Sequence, residues 1–495
     1  MASYQTNDAE RGLADVIHLR PPTSSASKAN PGFDLPSLRK PVKPGDYLSK
    51  PKTHTRPARK ANFWITCQLW FNTYRKFYTF VVSMNVVGLI LTATNTWKYP
   101  RDFTGAFILG NLLTAILMRN ELFGRLLYII VNTLFAKWPP LWFRLGCTSV
   151  LQHLGGIHSG CATSGFMWLI FRVILIFIDH KDNHDAVLIM GVITNLAVAI
   201  SILSAFPWVR NTHHNIFERH HRFVGWIGLL CTWAFVILGD SYDVTTRSWK
   251  PDGIHIIRQQ QFWFALGITV FIAIPWLTVR EVKVDVEIPS PKVAILRFER
   301  GMQQGLLARI SRGSIMEYHV LWNYFGRSDF TYELVHNPPT TIWTRQLKFA
   351  GVSNTSTLYK RGIRVCTGTG LGAALVYLYT GELACDYSGP KIAPEQQVVR
   401  AQIGAYLIWI GSDQEKTFGP TISGLIHKHL GPERSILWDS KKRGGRPDVM
   451  KLITEAYASW GAEVVFITSN WAGNKEMMEG CKAAGIPAFG TLWDF

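Results

Sequence analysis

The sequence predicts a multi-domain membrane protein: a six-helix transmembrane bundle, then a β-rich domain, then an α/β nucleotide-binding domain. Three observations predict it. Apolar segments of membrane-spanning length recur between residues 76 and 280. Short, alternating strand patterns replace them from residue 281. From residue 361 apolar strands alternate with helical segments, and the first is followed by the turn Cys366-Thr-Gly-Thr-Gly-Leu-Gly372.

Six segments fit the ~20 apolar residues that cross a ~30 Å hydrocarbon core. They are Phe77–Thr96, Phe103–Met118, Leu151–Ile178, Val187–Phe206, Phe223–Leu238 and Phe262–Val279. Leu126–Phe135 is also apolar but short, which predicts an extension of the second helix or an interfacial segment. Residues 1–75 read as a disordered basic cytosolic tail. Their first 60 positions hold 11 Lys and Arg against 5 Asp and Glu, with many Pro and Ser and no apolar leader core. A basic flank on a first span points to the cytosolic leaflet, and six crossings return the C-terminus to the same side. The formal net charge of +18 is accounted for by such flanks, and no basic helix or aromatic-basic motif points to nucleic acid. The seven cysteines form no Cys-x-x-Cys pair and no zinc spacing, so they read as reduced structural thiols.

The C-terminal half divides in two. Residues 281–360 carry alternating runs such as Val282–Ile288 and the Pro338-Pro339 break, a pattern expected of a small barrel or sandwich. In residues 361–495, strands are expected at Ile363–Cys366, Tyr406–Ile410, Ser435–Trp438 and Val464–Thr468. Their alternation with helices argues for a parallel sheet covered on both faces.

Two groups of residues carry candidate chemistry. In the helical half, His153 and His158 open the third span, and His213, His214, His220 and His221 open the fifth. Imidazoles on facing helices can ligate haem iron, and His153 with His221 is the pair favoured here, with His158 and His220 as substitutes; ordinary hydrogen bonding at the headgroups is the competing reading. A second haem is not expected. Its ligands would fall near Phe166 or Met167 and near Ala234 or Phe235. In the α/β half, Thr367, Gly368, Thr369, Gly370 and Gly372 form a turn that lets backbone approach a pyrophosphate; a tight turn without ligand is the alternative. The spacing is Gly-x-Gly-x-Gly, and no acidic residue clearly closes the next strand. Lys441, Lys442, Arg443 and Arg446 lie in the loop after a later strand, suited to the 2′-phosphate of NADPH or to anionic lipid. The terminal Phe495 could stack on a flavin or nicotinamide ring or pack into the core.

These segments resemble the ferric reductase and NADPH oxidase superfamily. The resemblance rests on Arg119-Asn120, His153, Phe217-Glu-Arg-His-His-Arg222, Gly444-Gly-Arg-Pro-Asp448 and the terminal Phe495. A closer similarity is to fungal TmpA-type integral membrane proteins, and to the membrane-reductase tail of some fungal adenylate-forming proteins. It is carried by Met316-Glu-Tyr-His319, Trp409-Ile-Gly-Ser-Asp-Gln414 and Phe489-Gly-Thr-Leu-Trp-Asp-Phe495. The resemblance implies a ferredoxin-reductase-like flavin domain over residues 281–360, with FAD near Tyr318 and His319, and an NADPH domain over residues 361–495. It implies an oxidoreductase of the plasma membrane moving electrons from cytosolic NADPH through FAD, and at most one haem, to an unknown acceptor. A regulatory protein of fungal development or secondary metabolism that has lost this chemistry is the alternative. The sequence departs from the superfamily where Tyr318-His-Val-Leu321 lacks the flavin motif's proline and hydroxyl residue.

Overall fold

The computed structural model describes residues 62–212, 214–298, 306–315, 318–320, 329–375 and 404–491. Phe495 and most of the N-terminal tail therefore lie outside the described residues, as do Met316 and Glu317. One short helix, α1 (Phe63–Trp70), falls where the sequence pattern led us to expect tail. The Asn62 side chain caps it by accepting from the Trp64 backbone N–H, and the helix packs on the C-terminal domain.

The helical half runs through α2 (Thr73–Ala93), α3 (Thr104–Arg119), α4 (Glu121–Phe135), α5 (Leu141–Gln152), α6 (Leu154–Ile178), α7 (Asp185–Ser204), α8 (His214–Ser241) and α9 (Gln260–Leu277). Among the described residues five helices are long and apolar enough to cross a membrane, and α3 with α4 makes up to six if that bent pair is one span. The pair bends by 70° at Asn120. There the backbone is extended, and the Asn120 side-chain Oδ1 accepts from the N–H groups of Leu122 (3.0 Å) and Phe123 (3.1 Å), restarting the helix. Its amide donates to the Phe271 carbonyl at 2.7 Å, which fixes the bend against α9. Close packing of the starts of α2 and α6 depends on Gly156, because a Cβ there would stand 2.2 Å from the Tyr74 carbonyl oxygen. Trp168, 1% exposed, fills the core and donates to Asn85 at 2.9 Å.

After α9 the chain forms β1 (Val279–Ser290), β2 (Val293–Phe298), β3 (Leu306–Leu307), β4 (Arg309–Ser311), β5 (His319–Val320), β6 (Thr341–Arg345) and β7 (Phe349–Ala350). They make an antiparallel sheet of order β2-β1-β6-β4-β5 and a small β3-β7 pair. Glu121 at the start of α4 ties this sheet to the bundle through ion pairs with Arg309 (2.5 Å) and Arg345 (3.1 Å).

The C-terminal domain contains β8 (Gly362–Thr367), β9 (Ala405–Gly411), β10 (Ser435–Asp439), β11 (Val464–Thr468) and β12 (Ala488–Phe489). All pairings are parallel, in the order β10-β9-β8-β11-β12. Period-two alternation explains the two cores. Ile363, Val365, Ile408, Ile410, Val465 and Ile467 face α14 (Val449–Trp460) and α15 (Trp471–Ala483), where α10 to α13 are Asp329–His336, Leu371–Leu375, Gln414–Phe418 and Pro420–Leu430. Cys366, Leu407 and Trp409 face the opposite way, against Phe418, Ile422 and Ile426. Burial pushes the Cys366 and Cys481 thiols well up, the latter to about 12, so neither is a ready nucleophile.

Candidate functional site

In sequence order the parallel strands stand 3-2-1-4-5 across the sheet, so the order reverses between β8 and β11. Open α/β sheets bind ligands outside the C-terminal ends of their strands at such a switch point. The glycine turn lies there. Gly368 takes the left-handed conformation (φ +51°), and a Cβ on it would meet nothing within 4 Å, so the turn borders open space. The buried Trp409 side chain holds the turn from below by donating to the Gly368 carbonyl at 3.0 Å. Gly370 serves a different purpose. Its Cβ would stand 2.5 Å from the Thr468 carbonyl oxygen, so glycine is needed for contact with β11 and not for a ligand. Thr369 completes the turn, and Gly372 lies half-buried in α11.

The far wall is the end of β11. Thr367 and Ser469 share a hydroxyl–hydroxyl hydrogen bond of 2.7 Å, which joins the ends of the two central strands. Asn470 caps α15 through the Gly473 N–H (2.9 Å). The space a Gly473 side chain would fill is bordered by Ser469 Oγ at 2.4 Å and Arg446 Nη2 at 3.2 Å. One arginine of the basic loop is thereby brought beside the switch point.

The four basic residues are not equivalent. Lys441 is paired with Asp413 at 2.9 Å and Lys442 with Glu415 at 3.2 Å. The Asp413 carboxylate hydrogen-bonded to the Lys441 ammonium holds that lysine above its ordinary range. Arg443 lies over the Trp438 ring at 4.6 Å, and Arg446 has a looser contact with Glu476 at 3.7 Å. All four are solvent-exposed, but the lysines are held by closer carboxylate partners, so the arginines are the better placed to meet a phosphate.

The residue that organises these loops is Asp439, at the end of β10, which the motif reading missed. It is 7% exposed. Its Oδ1 accepts from the N–H groups of Asp413 (2.9 Å), Lys441 (2.9 Å) and Lys442 (3.3 Å), and its Oδ2 from Gln414 (3.0 Å). Burial alone would raise the Asp439 carboxyl; these backbone donors outweigh it and hold the group below the usual carboxylate range. Asp413, the acidic residue sought after the second strand, stands two positions past Gly411 in a left-handed conformation (φ +56°). Only the tertiary contact reveals its role in the loop.

The remaining predicted residues lie in the helical half and the antiparallel sheet, away from this crevice. Tyr318 is 2% exposed, donates to the Ser314 carbonyl (2.9 Å), and is covered by Trp276 and by Arg345, 4.6 Å from its ring centre. His319 is paired through the backbone with Ile310 in β5. His153 sits between α5 and α6 with Nδ1 on the Ser149 carbonyl (2.7 Å). His221 bonds Ser201 of α7 at 3.2 Å, with Arg119 and His158 as electrostatic neighbours. No group of three or more metal-binding His, Cys, Asp or Glu occurs among the described residues.

The strand order, switch-point crevice and two-sided helical cover define the C-terminal part as a doubly wound α/β domain. Residues 352–495 match the family model for the C-terminal domain of Adenylate-forming reductase 03009. The chain is 28% identical over 443 residues to Adenylate-forming reductase 06235 of Coprinopsis cinerea, and 27% identical over 446 residues to Adenylate-forming reductase 03009 of the same organism. Each similarity covers 86% of this chain and 40% of the relative, so the chain spans well under half the length of these proteins.

These similarities correct the sequence reading. They point to adenylate-forming reductases and not to the ferric reductase and NADPH oxidase superfamily. The route of electrons from NADPH through FAD and haem is withdrawn with that placement, as are the regulatory variant and the ferric-reductase and flavin descriptions. The motifs behind it have structural explanations. Asn120 caps a bend, Arg222 pairs with Glu218 at 2.7 Å and lies over Trp276, and Gly444 and Gly445 take positive φ angles in a turn.

Proposed function

We propose that the C-terminal domain binds a nicotinamide dinucleotide of the NADPH class across the ends of β8 and β11 and serves the reductive part of an adenylate-forming reductase activity. The observation that carries this reading is the open left-handed Gly368 turn at the switch point, with Arg446 held beside Ser469. The relatives' name supports reduction as the reaction class. A bound nicotinamide would supply hydride. The residues of this chain bind and orient: the Gly368 turn leaves room for the pyrophosphate, Thr367 and Ser469 hold the two strand ends in register, and Arg443 and Arg446 meet the 2′-phosphate. The activated acyl group made by adenylate formation is the substrate class that fits this name. No residue here is assigned to adenylation.

Isothermal titration of the full chain tests the reading. NADPH is expected to bind more tightly than NADH. Arg443→Ala and Arg446→Ala should each weaken NADPH about tenfold, the loss of one charge-assisted hydrogen bond, while NADH is little changed. Equal binding of NADPH and NADH, or preference for AMP or ATP over both, would overturn it.

We also propose that the helical half lies in a bilayer, with the C-terminal domain on the cytosolic side. In support, Phe80, Met84 and Ile90 on α2, Ile189, Leu196 and Leu203 on α7, and Leu230 on α8 are all exposed. So many exposed large apolar side chains on helices of spanning length suit lipid better than water. Alkaline carbonate washing of membranes is expected to leave the protein in the pellet; release into the supernatant would sink the proposal.

A further inference from the structure

A second cavity lies far from the nucleotide crevice. It is a partly open hollow between α3, α6, α7, α8 and α9, with Asp102, Phe103 and Gln259 also on its lining, and has a volume of about 90 Å³. The C-terminal domain docks beside the start of α6, whereas Arg172 on the cavity wall lies 18 residues into that helix, roughly 27 Å along it. The floor is apolar, formed by residues such as Ile108, Leu109 and Leu169. Three charged residues line it; besides Asp102 these are the oppositely charged Arg172 and Asp240.

Arg172 and Asp240 sense one another electrostatically, but among the described residues they form no ion pair within 4 Å. Asp240 Oδ1 accepts from the Gln261 amide at 2.7 Å. Its Oδ2 is buried and has no hydrogen-bond partner. The Arg172 guanidinium likewise makes no hydrogen bond among the described residues. Charged atoms in an apolar helical bundle are ordinarily paired directly, because leaving either unpaired is unfavourable. Here the two are separated by a hollow with a cationic donor set on one side and an anionic acceptor on the other. An occupant that satisfies both must carry an anionic group for Arg172 and a donor, preferably cationic, for Asp240. The volume is about three times the ~30 Å³ share of one water, room for a solute of about six non-hydrogen atoms. We propose that this cavity binds a small ammonium carboxylate zwitterion, its carboxylate on Arg172 and its ammonium on Asp240, with a short apolar side chain over the Ile108 and Leu109 floor.

The test uses the full chain in detergent and equilibrium dialysis with labelled alanine and β-alanine, against propionate and ethylamine, which each lack one charge. The expected result is saturable zwitterion binding at least about tenfold tighter than either control, the equivalent of one lost charged contact. Arg172→Met and Asp240→Asn should each weaken it by a similar factor while leaving nucleotide titration unchanged. If either variant fails to fold, Ile108→Phe, which narrows the floor without touching a charge, should abolish binding. Failure of alanine and β-alanine to bind saturably up to millimolar concentration, or binding that survives these substitutions, would show a cavity filled by water alone and overturn the proposal.

Discussion

Glu463→Ala is expected to destabilise the folded protein by about 3 kcal/mol, the lower end of the range for removing one partner of a buried pair. Arg144 of α5 is 4% exposed and Glu463, just before β11, is 19% exposed. Their contact is bidentate, 2.8 and 2.9 Å. Removing the carboxylate leaves the guanidinium with the Pro139 and Leu358 carbonyls as its remaining protein acceptors, and the Lys360 N–H loses its 2.7 Å acceptor. Those two carbonyls and the partial exposure of Glu463 keep the cost from reaching the top of the range. The pair fixes the helical half to the C-terminal domain, beside the Thr148–Tyr359 hydroxyl contact of 2.7 Å. Burial would raise the Glu463 carboxyl, but Arg144 and the Lys360 N–H outweigh it and hold it below its ordinary value. A depressed folded value means that the stabilisation is complete above the unfolded carboxylate range and is lost as pH falls through the folded value. The difference between wild type and Glu463→Gln, measured by denaturant melts in detergent, should therefore be present at neutral pH and vanish in acid. Variants that melt together with wild type at pH 7 would show that the pair does not hold the domains.

The parts of this fold legible in the sequence are those where local pattern and tertiary demand agree. The segments Ile363–Cys366, Tyr406–Ile410, Ser435–Trp438 and Val464–Thr468 each fall inside a strand, because buried parallel strands read as short apolar runs between turn residues. The bend at Asn120 was harder to see. Leu126–Phe135 continues the apolar pattern, and the 70° turn depends on one side chain reaching both the next helical turn and α9. The glycine turn was visible as a motif, but its division of labour was not: Gly370 answers to Thr468, about 100 residues away in the chain, whereas Gly368 borders open space. Charge composition identified the basic loop without showing that Asp413 and Glu415 already hold two of its lysines. Histidines and an Arg-Asn pair at plausible spacing suggested a redox superfamily that the comparisons replace. Spacing on a helix constrains which residues share a face and says nothing about what, if anything, lies between them.

Asp439→Ala should have the larger effect on ligand binding, because one carboxylate organises two loops. It anchors Asp413 and Gln414 after β9 and Lys441 and Lys442 after β10, each through the backbone N–H. Charge-assisted hydrogen bonds of this kind contribute about 1.5–3 kcal/mol each in isolation. Four do not sum, since the freed N–H groups of Asp413, Lys441 and Lys442 are only partly buried and regain water while that of Gln414 is buried, and a total of about 3 kcal/mol of stability is expected. Asn is instructive as the conservative variant. Its oxygen can keep the three donors that now meet Oδ1, but its NH2 would face the Gln414 N–H, donor against donor. Asp439→Asn should therefore retain most of the stability while shifting the β9 loop, and with it the acidic partner of Lys441. Because the carboxyl is held below its usual range, the difference between wild type and either variant is present at neutral pH and fades as pH falls through that lowered value. Under the proposed NADPH reading, Arg443 and Arg446 then lose their fixed setting, and Asp439→Ala should weaken NADPH by about 30-fold or more, equivalent to about 2 kcal/mol. Thermal melts without nucleotide separate the two effects. A stability loss with unchanged NADPH affinity would mean that the loops bind nothing there, and unchanged melts would mean that the buried carboxylate is not what holds them.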